Sequence, residues 1–271
     1  MKKVLFALAM LPLLTFVSCS SDDDDNNNQD VDFAYNIELL YGEWRATEVE
    51  IADAMTIDLT EPEMELLVTP TYVTFGTGGV YESEGILGEG TGKYITKEKT
   101  ITTSLGDEKV SFKVISLDAK EAKIEINAKA LGLSMIPEGI ETVVVELTKD
   151  YSKEIDFDFD IALLYGEWQV TAVDIDGNQL DVTSIIDPTF VTFAEKGVFS
   201  STGVMGEGEG KYAVKGNDIA TMIDGKIMSF DMETLTAQTA KIEIDASNLD
   251  IDIIPEGIEE VKVILTKKVA E

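Results

Sequence analysis

The strongest constraint on the fold is a tandem duplication within the chain. The hexapeptide LLYGEW at Leu39–Trp44 recurs at Leu163–Trp168, 124 positions later. From Thr71 the offset falls to 118, and about 39 of the 79 residues up to Lys149 are identical to their counterparts. Repetition on this scale indicates two copies of one structural unit, each of which needs its own core.

The offsets also set the domain boundaries. We predict one domain at 33–150 and a second at 157–271, joined by a link too short to hold them far apart. The second copy lacks six residues between Trp168 and Val191. We expect this stretch to be a loop, since loops tolerate changes of length better than strands do.

Each copy has the alternation of β-strands, in which successive side chains point to opposite faces. In the first copy the apolar face of one strand carries Val110, Phe112 and Val114, with Ser111 and Lys113 on the other face. The corresponding apolar face of the second copy carries Met228, Phe230 and Met232. Eight or nine such strands in about 115 residues predict an all-β fold, an antiparallel meander closed into a barrel without exposed edges.

The start of each copy resembles a known family. Gly42-Glu43-Trp44 and Gly166-Glu167-Trp168 each follow a short segment that we expect to be helical, Tyr35–Tyr41 in the first copy. A helical turn followed by Gly-x-Trp on the first strand is similar to the lipocalin signature, as found in lipocalin-like domains of bacterial surface lipoproteins. The resemblance implies two tandem up-and-down barrels, with these glycines and tryptophans at the barrel bases.

One element of the family pattern is missing. In that family an arginine near the last strand packs over the tryptophan, whereas the only arginine in this chain is Arg45. We expect Lys149 and Lys267 to replace it through cation–π contacts with Trp44 and Trp168. Each tryptophan could instead be a stacking platform for a ligand, but the matched positions favour a plug at the barrel base.

The first 18 residues have the pattern of a signal peptide. Lys2 and Lys3 precede the apolar run Val4–Val17, which is too short to span a bilayer core of about 30 Å. Phe16-Val17-Ser18-Cys19 resembles a bacterial lipobox, which implies a lipid on Cys19 and attachment of the mature chain to a membrane.

Residues 19–32 are predicted to be a disordered acidic tether. The segment from Ser20 to Asp30 contains Asp22–Asp25 and has no apolar residue, so it cannot bury surface. A serine and acids directly after the cysteine also resemble an export signal for the outer face of the outer membrane. We therefore expect surface display, with a spacer in the periplasm as the alternative.

Composition excludes several kinds of chemistry. The chain has no histidine and a single cysteine, so imidazole-assisted nucleophiles, His-ligated zinc and intrachain disulfides are impossible. A net charge of -31 argues against a nucleic-acid partner. Paired carboxylates could still catalyse hydrolysis, but no pair lies on an apolar strand face in both copies. We predict a protein that is not an enzyme, with no cofactor and no metal site that the sequence can name.

Two functions remain open at this stage. In the first, a barrel binds or carries a small apolar molecule in a cavity lined by Val110, Phe112 and Val114 or by their counterparts Met228, Phe230 and Met232. The second copy is favoured because it is richer in methionine, with Met205, Met222, Met228 and Met232, and methionine adapts to irregular shapes. In the second function, the barrels are filled with side chains and their outer faces bind a protein or glycan at the cell surface.

Overall fold

The computed structural model describes residues 32–51, 55–249, 251, 254–255 and 257–268. The predicted signal peptide, Cys19 and nearly all of the tether lie outside these ranges. No helix in the described part of the chain has both the length and the apolar character needed to cross a bilayer.

The first barrel contains nine strands and two short helices. A helix, α1 (Ile37–Leu40), precedes the first strand, as the sequence predicts. The strands are β1 (Gly42–Ile51), β2 (Met55–Asp58), β3 (Tyr72–Phe75), β4 (Val80–Glu84), β5 (Gly90–Lys97), β6 (Thr100–Leu105), β7 (Glu108–Leu117), β8 (Glu121–Asn127) and β9 (Thr142–Thr148). Helix α2 (Pro62–Leu67) lies between β2 and β3.

The second barrel repeats this order without a counterpart of α2. It begins with α3 (Ile161–Leu164). Its strands are β10 (Gly166–Ile175), β11 (Asn178–Asp181), β12 (Phe190–Ala194), β13 (Val198–Thr202), β14 (Gly208–Lys215), β15 (Asp218–Ile223), β16 (Lys226–Leu235), β17 (Thr239–Asp245) and β18 (Glu260–Lys267).

Both sheets close on themselves. In the first barrel β1 pairs with β3 on one side and with β9 on the other, so β1 and β3–β9 form a ring of eight antiparallel strands. The short β2 pairs with the far half of β1 and extends that hairpin. The second barrel closes in the same way through β10 and β18. These topologies confirm the predicted fold class, two antiparallel up-and-down β-barrels in tandem.

The apolar faces of the strands form the two barrel cores. Along β8, for example, Ala122, Ile124 and Ile126 are buried while their neighbours are partly or fully exposed. Aromatic rings also pack inside each barrel, with Phe75 edge-to-face on Tyr94 at 5.2 Å between ring centres. The second barrel repeats this contact between Phe193 and Tyr212, also at 5.2 Å.

The extra residues of the first copy do not form a free loop. Thirteen residues (59–71) separate β2 from β3, whereas eight (182–189) separate β11 from β12, and the longer connection contains α2. Helix α2 packs on β14 and β15 of the second barrel. Glu63 of α2 accepts a hydrogen bond from the Ser229 hydroxyl, and the outward-facing Ala220 of β15 is fully buried. The expectation of a length-tolerant loop was therefore wrong for the first copy, because its extra residues bring the two barrels into contact.

Candidate functional site

The two ends of each barrel differ in construction. In barrel 2 the β10 signature Gly166–Trp168 lies at one end, which we call the base. Because the strands run up and down, the β13–β14, β15–β16 and β17–β18 connections lie at the opposite end, the mouth.

The base is closed by a repeated set of contacts. Trp44 is fully buried and its Nε1 donates a hydrogen bond of 2.8 Å to the Leu40 carbonyl at the end of α1. The amine of Lys149 lies 4.3 Å from the centre of the Trp44 ring and donates to the carbonyls of Leu39 at 2.8 Å and Tyr41 at 2.6 Å. The carbonyls at the helix end therefore have donors, as buried helix ends require.

The same arrangement closes barrel 2. Trp168 is fully buried, and Lys267 lies 4.9 Å from its ring centre and donates to the Leu163 carbonyl at 2.7 Å. The predicted cation–π contacts of these lysines with the two tryptophans are confirmed. Burial lowers the pKa of both Lys149 and Lys267. The geometry favours the plug over the ligand platform for both tryptophans, because the rings have no exposed face.

The signature glycine makes room for the lysine. Gly166 has a φ of +126°, and a Cβ on it would lie 2.8 Å from Lys267 Cε. Gly42 has a φ of +114°, with Lys149 Cε at 3.7 Å from the same hypothetical atom. A side chain at either position would be strained by the backbone, and at Gly166 it would also press on the lysine stem, which explains the glycine in Gly-x-Trp.

The mouth of barrel 2 holds a cleft of about 540 Å³, here called the barrel 2 mouth cleft. All three mouth connections contribute to its walls. Its apolar lining comes from Val204, Met205, Ile223, Ile227 and Met228. Its polar lining comes from Glu207, Thr221, Asp224, Lys226, Ser247 and Asn248. A few polar groups around an apolar surface are typical of sites that bind small molecules.

Internal hydrogen bonds hold the wall of this cleft in place. The buried Thr221 hydroxyl donates to the Met228 carbonyl at 3.2 Å across the β15–β16 hairpin. The Ser201 hydroxyl donates to the Met205 carbonyl at 3.2 Å, which fixes the turn after β13. These bonds satisfy two buried hydroxyls, and the partly buried Met228 side chain is left as apolar contact surface, while Met205 is buried beside it.

Barrel 1 has a much smaller cleft in the same place. It measures about 60 Å³, and seven of its eight lining residues occupy the repeat positions of residues that line the barrel 2 mouth cleft. A Cβ built on Gly88 would lie 2.6 Å from Leu105 Cδ1, whereas one on Gly206 would lie 3.8 Å from Ile223 Cδ1. The Leu105 side chain therefore lies against Gly88 in barrel 1, whereas Ile223 stands off Gly206 in barrel 2 and lies against Gly208, where a Cβ would be 2.9 Å from Ile223 Cγ2.

The six predicted cavity-lining residues separate into two groups. Met228 lines the barrel 2 mouth cleft and Val110 lines the small cleft of barrel 1. The other four are buried within the two barrel cores and line neither cleft: Phe112, Val114, Phe230 and Met232. Sequence reasoning missed Val204, which lies in the turn after β13, and Ile223 and Ile227, which lie at the strand ends beside the β15–β16 turn, because it considered only the apolar face in the middle of one strand.

One group of carboxylates in the described part of the chain has the spacing of a metal site. The ligand oxygens of Glu48, Glu50 and Glu146 lie within 4.8 Å of one another. The amine of Lys123 lies among them, donating to Glu50 at 2.7 Å and forming an ion pair with Glu146. Burial raises the pKa of Glu146. The cluster is thus a cross-strand ion-pair network, in which an ammonium group provides the positive charge.

Comparison with known proteins gives one structural relative of interest. No protein-family model and no curated protein sequence matches the chain. Among solved structures, the chain is similar to a lipocalin-like protein from Bacteroides uniformis, with 22% sequence identity and a TM-score of 0.26. The match covers 39% of this chain and 99% of the other.

Proposed function

We propose that this chain is a non-enzymatic binding protein that holds one small apolar molecule in the barrel 2 mouth cleft. The observation that carries the proposal is the contrast between two repeats of one sequence, with about 540 Å³ at one mouth and about 60 Å³ at the other. Ligand pockets typically measure about 300–1,000 Å³, so of these two mouth clefts the one in barrel 2 falls in that range and the one in barrel 1 does not.

The lining chemistry supports an apolar ligand. Met228 supplies a flexible, polarisable side chain that adapts to different shapes, the buried Met205 borders the cleft, and Ile223 and Ile227 extend the apolar surface. The polar groups Glu207, Asp224 and Lys226 come from the mouth connections, where they would orient a polar end of the ligand. A chain without histidine cannot use imidazole for acid–base catalysis, which is consistent with binding and not turnover.

The proposed location is the outer membrane, with a lipid on Cys19 and the barrels displayed at the cell surface. The sequence features before residue 33 support this location. Removal of the signal leaves 19 basic against 52 acidic residues, and such a surface is repelled by anionic lipid headgroups. The tether and the charge together would hold the mouth cleft away from the membrane, open to solutes outside.

Titration with N-phenyl-1-naphthylamine, a neutral apolar fluorophore, tests the proposal. We expect saturable binding of one probe molecule per chain. Ile223→Phe should weaken it at least tenfold, because the ring fills the cleft beside Gly206. The matched control is Leu105→Phe at the same repeat position of barrel 1, which should leave probe binding unchanged.

The two variants also separate binding from folding. Thermal unfolding identifies any loss of structure, since both substitutions add a phenyl ring at a partly buried mouth position. Absence of saturable binding to the wild type would contradict the proposal. Equal weakening by both variants would also contradict it, because the probe would then not distinguish the two mouths.

A further inference from the structure

A second concavity lies between the barrels and is lined by both of them. This inter-barrel groove has a volume of about 640 Å³. Barrel 1 contributes Arg45, Tyr72 and Thr148, the link contributes Tyr151, and barrel 2 contributes Lys215. The groove is therefore absent from a single barrel and exists only because the two copies are held together.

Contacts on both sides fix the walls of the groove. The Tyr151 hydroxyl in the link donates to the Glu43 carboxylate of barrel 1, and Lys153 donates to the same carboxylate at 2.9 Å. On the other side, Lys215 of barrel 2 donates to Glu61 at 2.6 Å and to the Thr60 hydroxyl at 2.8 Å. The link is thus bound to the first barrel, and the second barrel is bound to the segment that leads into α2.

Two tyrosines form an aromatic part of the wall. The rings of Tyr72 and Tyr151 are 5.5 Å apart between centres and tilted by 46°. The Lys153 amine lies 4.7 Å from the centre of the Tyr72 ring, so that ring is held from a second direction. Tyrosine offers an apolar ring and a polar hydroxyl together, which suits a ligand that has both kinds of surface.

Comparison of the repeats shows what is particular to the groove. In barrel 1 the outward-facing residue Arg45 lies across from Tyr72 on one neighbouring strand and from Thr148 on the other. The same row of barrel 2, which does not line the groove, contains Gln169, Phe190 and Thr266. The groove row thus carries a guanidinium and a phenol where its repeat carries an amide and a phenyl ring, and both differences add hydrogen-bonding capacity.

Carboxylates outnumber cations in the groove, and every cation there already has an acidic partner. Each of its three cations is paired with a carboxylate in the structure: Arg45 with Glu65, Lys153 with Glu43, and Lys215 with Glu61. Three further acids line the groove: Asp150, Glu154 and Asp156. An anionic ligand would have to displace an existing partner and approach these acids. The hydroxyls of an uncharged ligand could donate to these acids without displacing an ion pair.

We infer that the inter-barrel groove binds an uncharged saccharide of two to four sugar units. The C–H face of a sugar ring packs on tyrosine, and its hydroxyls both donate and accept, matching carboxylates, hydroxyls and the Arg45 guanidinium. Arg45 donates through Nη2 to Glu65 at 2.7 Å, and its planar fork carries further N–H groups. This site is separate from the barrel 2 mouth cleft and does not depend on the function proposed for it.

Calorimetric titration of the mature two-barrel protein tests the inference. The probes are maltotriose, cellotriose, mannotriose and N-acetylchitotriose. We expect at least one of them to bind at one site per chain. The double variant Arg45→Gln/Tyr72→Phe, which installs the residues of the barrel 2 row, should weaken that binding at least tenfold. The control Gln169→Ala, in the barrel 2 row itself, should leave it unchanged.

A second variant tests the groove independently, in case the double variant misfolds. Ile155 lines the groove and is 60% exposed, so Ile155→Trp should fill the groove without disturbing a core. It should abolish saccharide binding while binding of N-phenyl-1-naphthylamine stays as in the wild type. The inference is overturned if none of the four saccharides binds. It is also overturned if binding survives in both the double variant and Ile155→Trp.

Discussion

Replacement of Lys149 by methionine should destabilise barrel 1 by about 2–4 kcal/mol. The change removes hydrogen bonds to the carbonyls of Leu39 and Tyr41 and the contact of the charge with Trp44. Hydrogen bonds of a charged group contribute about 1.5–3 kcal/mol each and a cation–π contact about 0.5–2 kcal/mol. The loss is smaller than their sum, because methionine does not have to bury a charge.

Barrel 2 supplies the matched comparison. Lys267 donates to one carbonyl, that of Leu163, and lies farther from its tryptophan, at 4.9 Å compared with 4.3 Å. Lys267→Met should therefore cost about 1–3 kcal/mol, less than Lys149→Met. Urea unfolding followed by the fluorescence of one tryptophan at a time, with the other replaced by phenylalanine, reports on each base separately.

The pH dependence of the unfolding free energy, compared between the wild type and Lys149→Met, gives a second readout. Burial lowers the pKa of Lys149 below its ordinary value of 10.5, so between the two values the unfolded chain binds more protons than the folded chain. The free energy of unfolding should then rise with pH in that window, and Lys149→Met should remove the rise. An unfolding free energy of Lys149→Met equal to that of the wild type would refute the role assigned to this lysine.

The remaining predictions concern the base glycine, the cores, the barrel contact and the anchor. Gly166→Ala should cost about 2 kcal/mol or more because of its φ of +126° and the nearby Lys267 stem, whereas Gly177→Ala, with open space around it, should cost about 1 kcal/mol in urea unfolding. Phe230→Ala should lower the free energy of unfolding by about 3–5 kcal/mol and Met228→Ala by about 1–2 kcal/mol, because Phe230 is buried in the core and Met228 lines a cleft. Equal losses would contradict a filled barrel interior. Ala220→Arg should push α2 off barrel 2 and enlarge the radius of gyration in small-angle scattering, and an unchanged radius would contradict the contact. Cys19→Ser should move the protein from the membrane to the soluble fraction, and alanines at Asp22–Asp25 should protect it from protease added to intact cells; undiminished cleavage would exclude the export signal.

The fold could be predicted because its determinants are local and repeated. Strand alternation identifies which side chains face inward, and duplication shows the same pattern twice. The contacts of Lys149 and Lys267 were expected from the resemblance, which implies a cation over each tryptophan, because Arg45 is the chain's only arginine and belongs to β1. The strand inferences needed only neighbours in sequence or the matching position of the other copy.

The candidate sites were harder to predict because they depend on packing between distant residues. Leucine and isoleucine have the same hydrophobic character, yet Leu105 packs against Gly88 at a cleft of about 60 Å³, whereas Ile223 stands off Gly206 at a cleft of about 540 Å³. The contact of α2 with barrel 2 depends on an alanine, Ala220, where the repeat position in barrel 1 is Thr102. A difference of one small side chain on an outer strand face has no periodic signal that could reveal it.

The central claim, that barrel 2 and not barrel 1 holds an apolar ligand at its mouth, can be tested at single residues. Methyl spectra of protein labelled with ¹³C-methionine report on Met205 and Met228 in the barrel 2 mouth cleft and on Met55 and Met64 in barrel 1. On titration with N-phenyl-1-naphthylamine, we predict saturable shifts of the Met205 and Met228 methyl signals, with those of Met55 and Met64 unchanged. Static Met205 and Met228 signals at saturating probe would contradict the account.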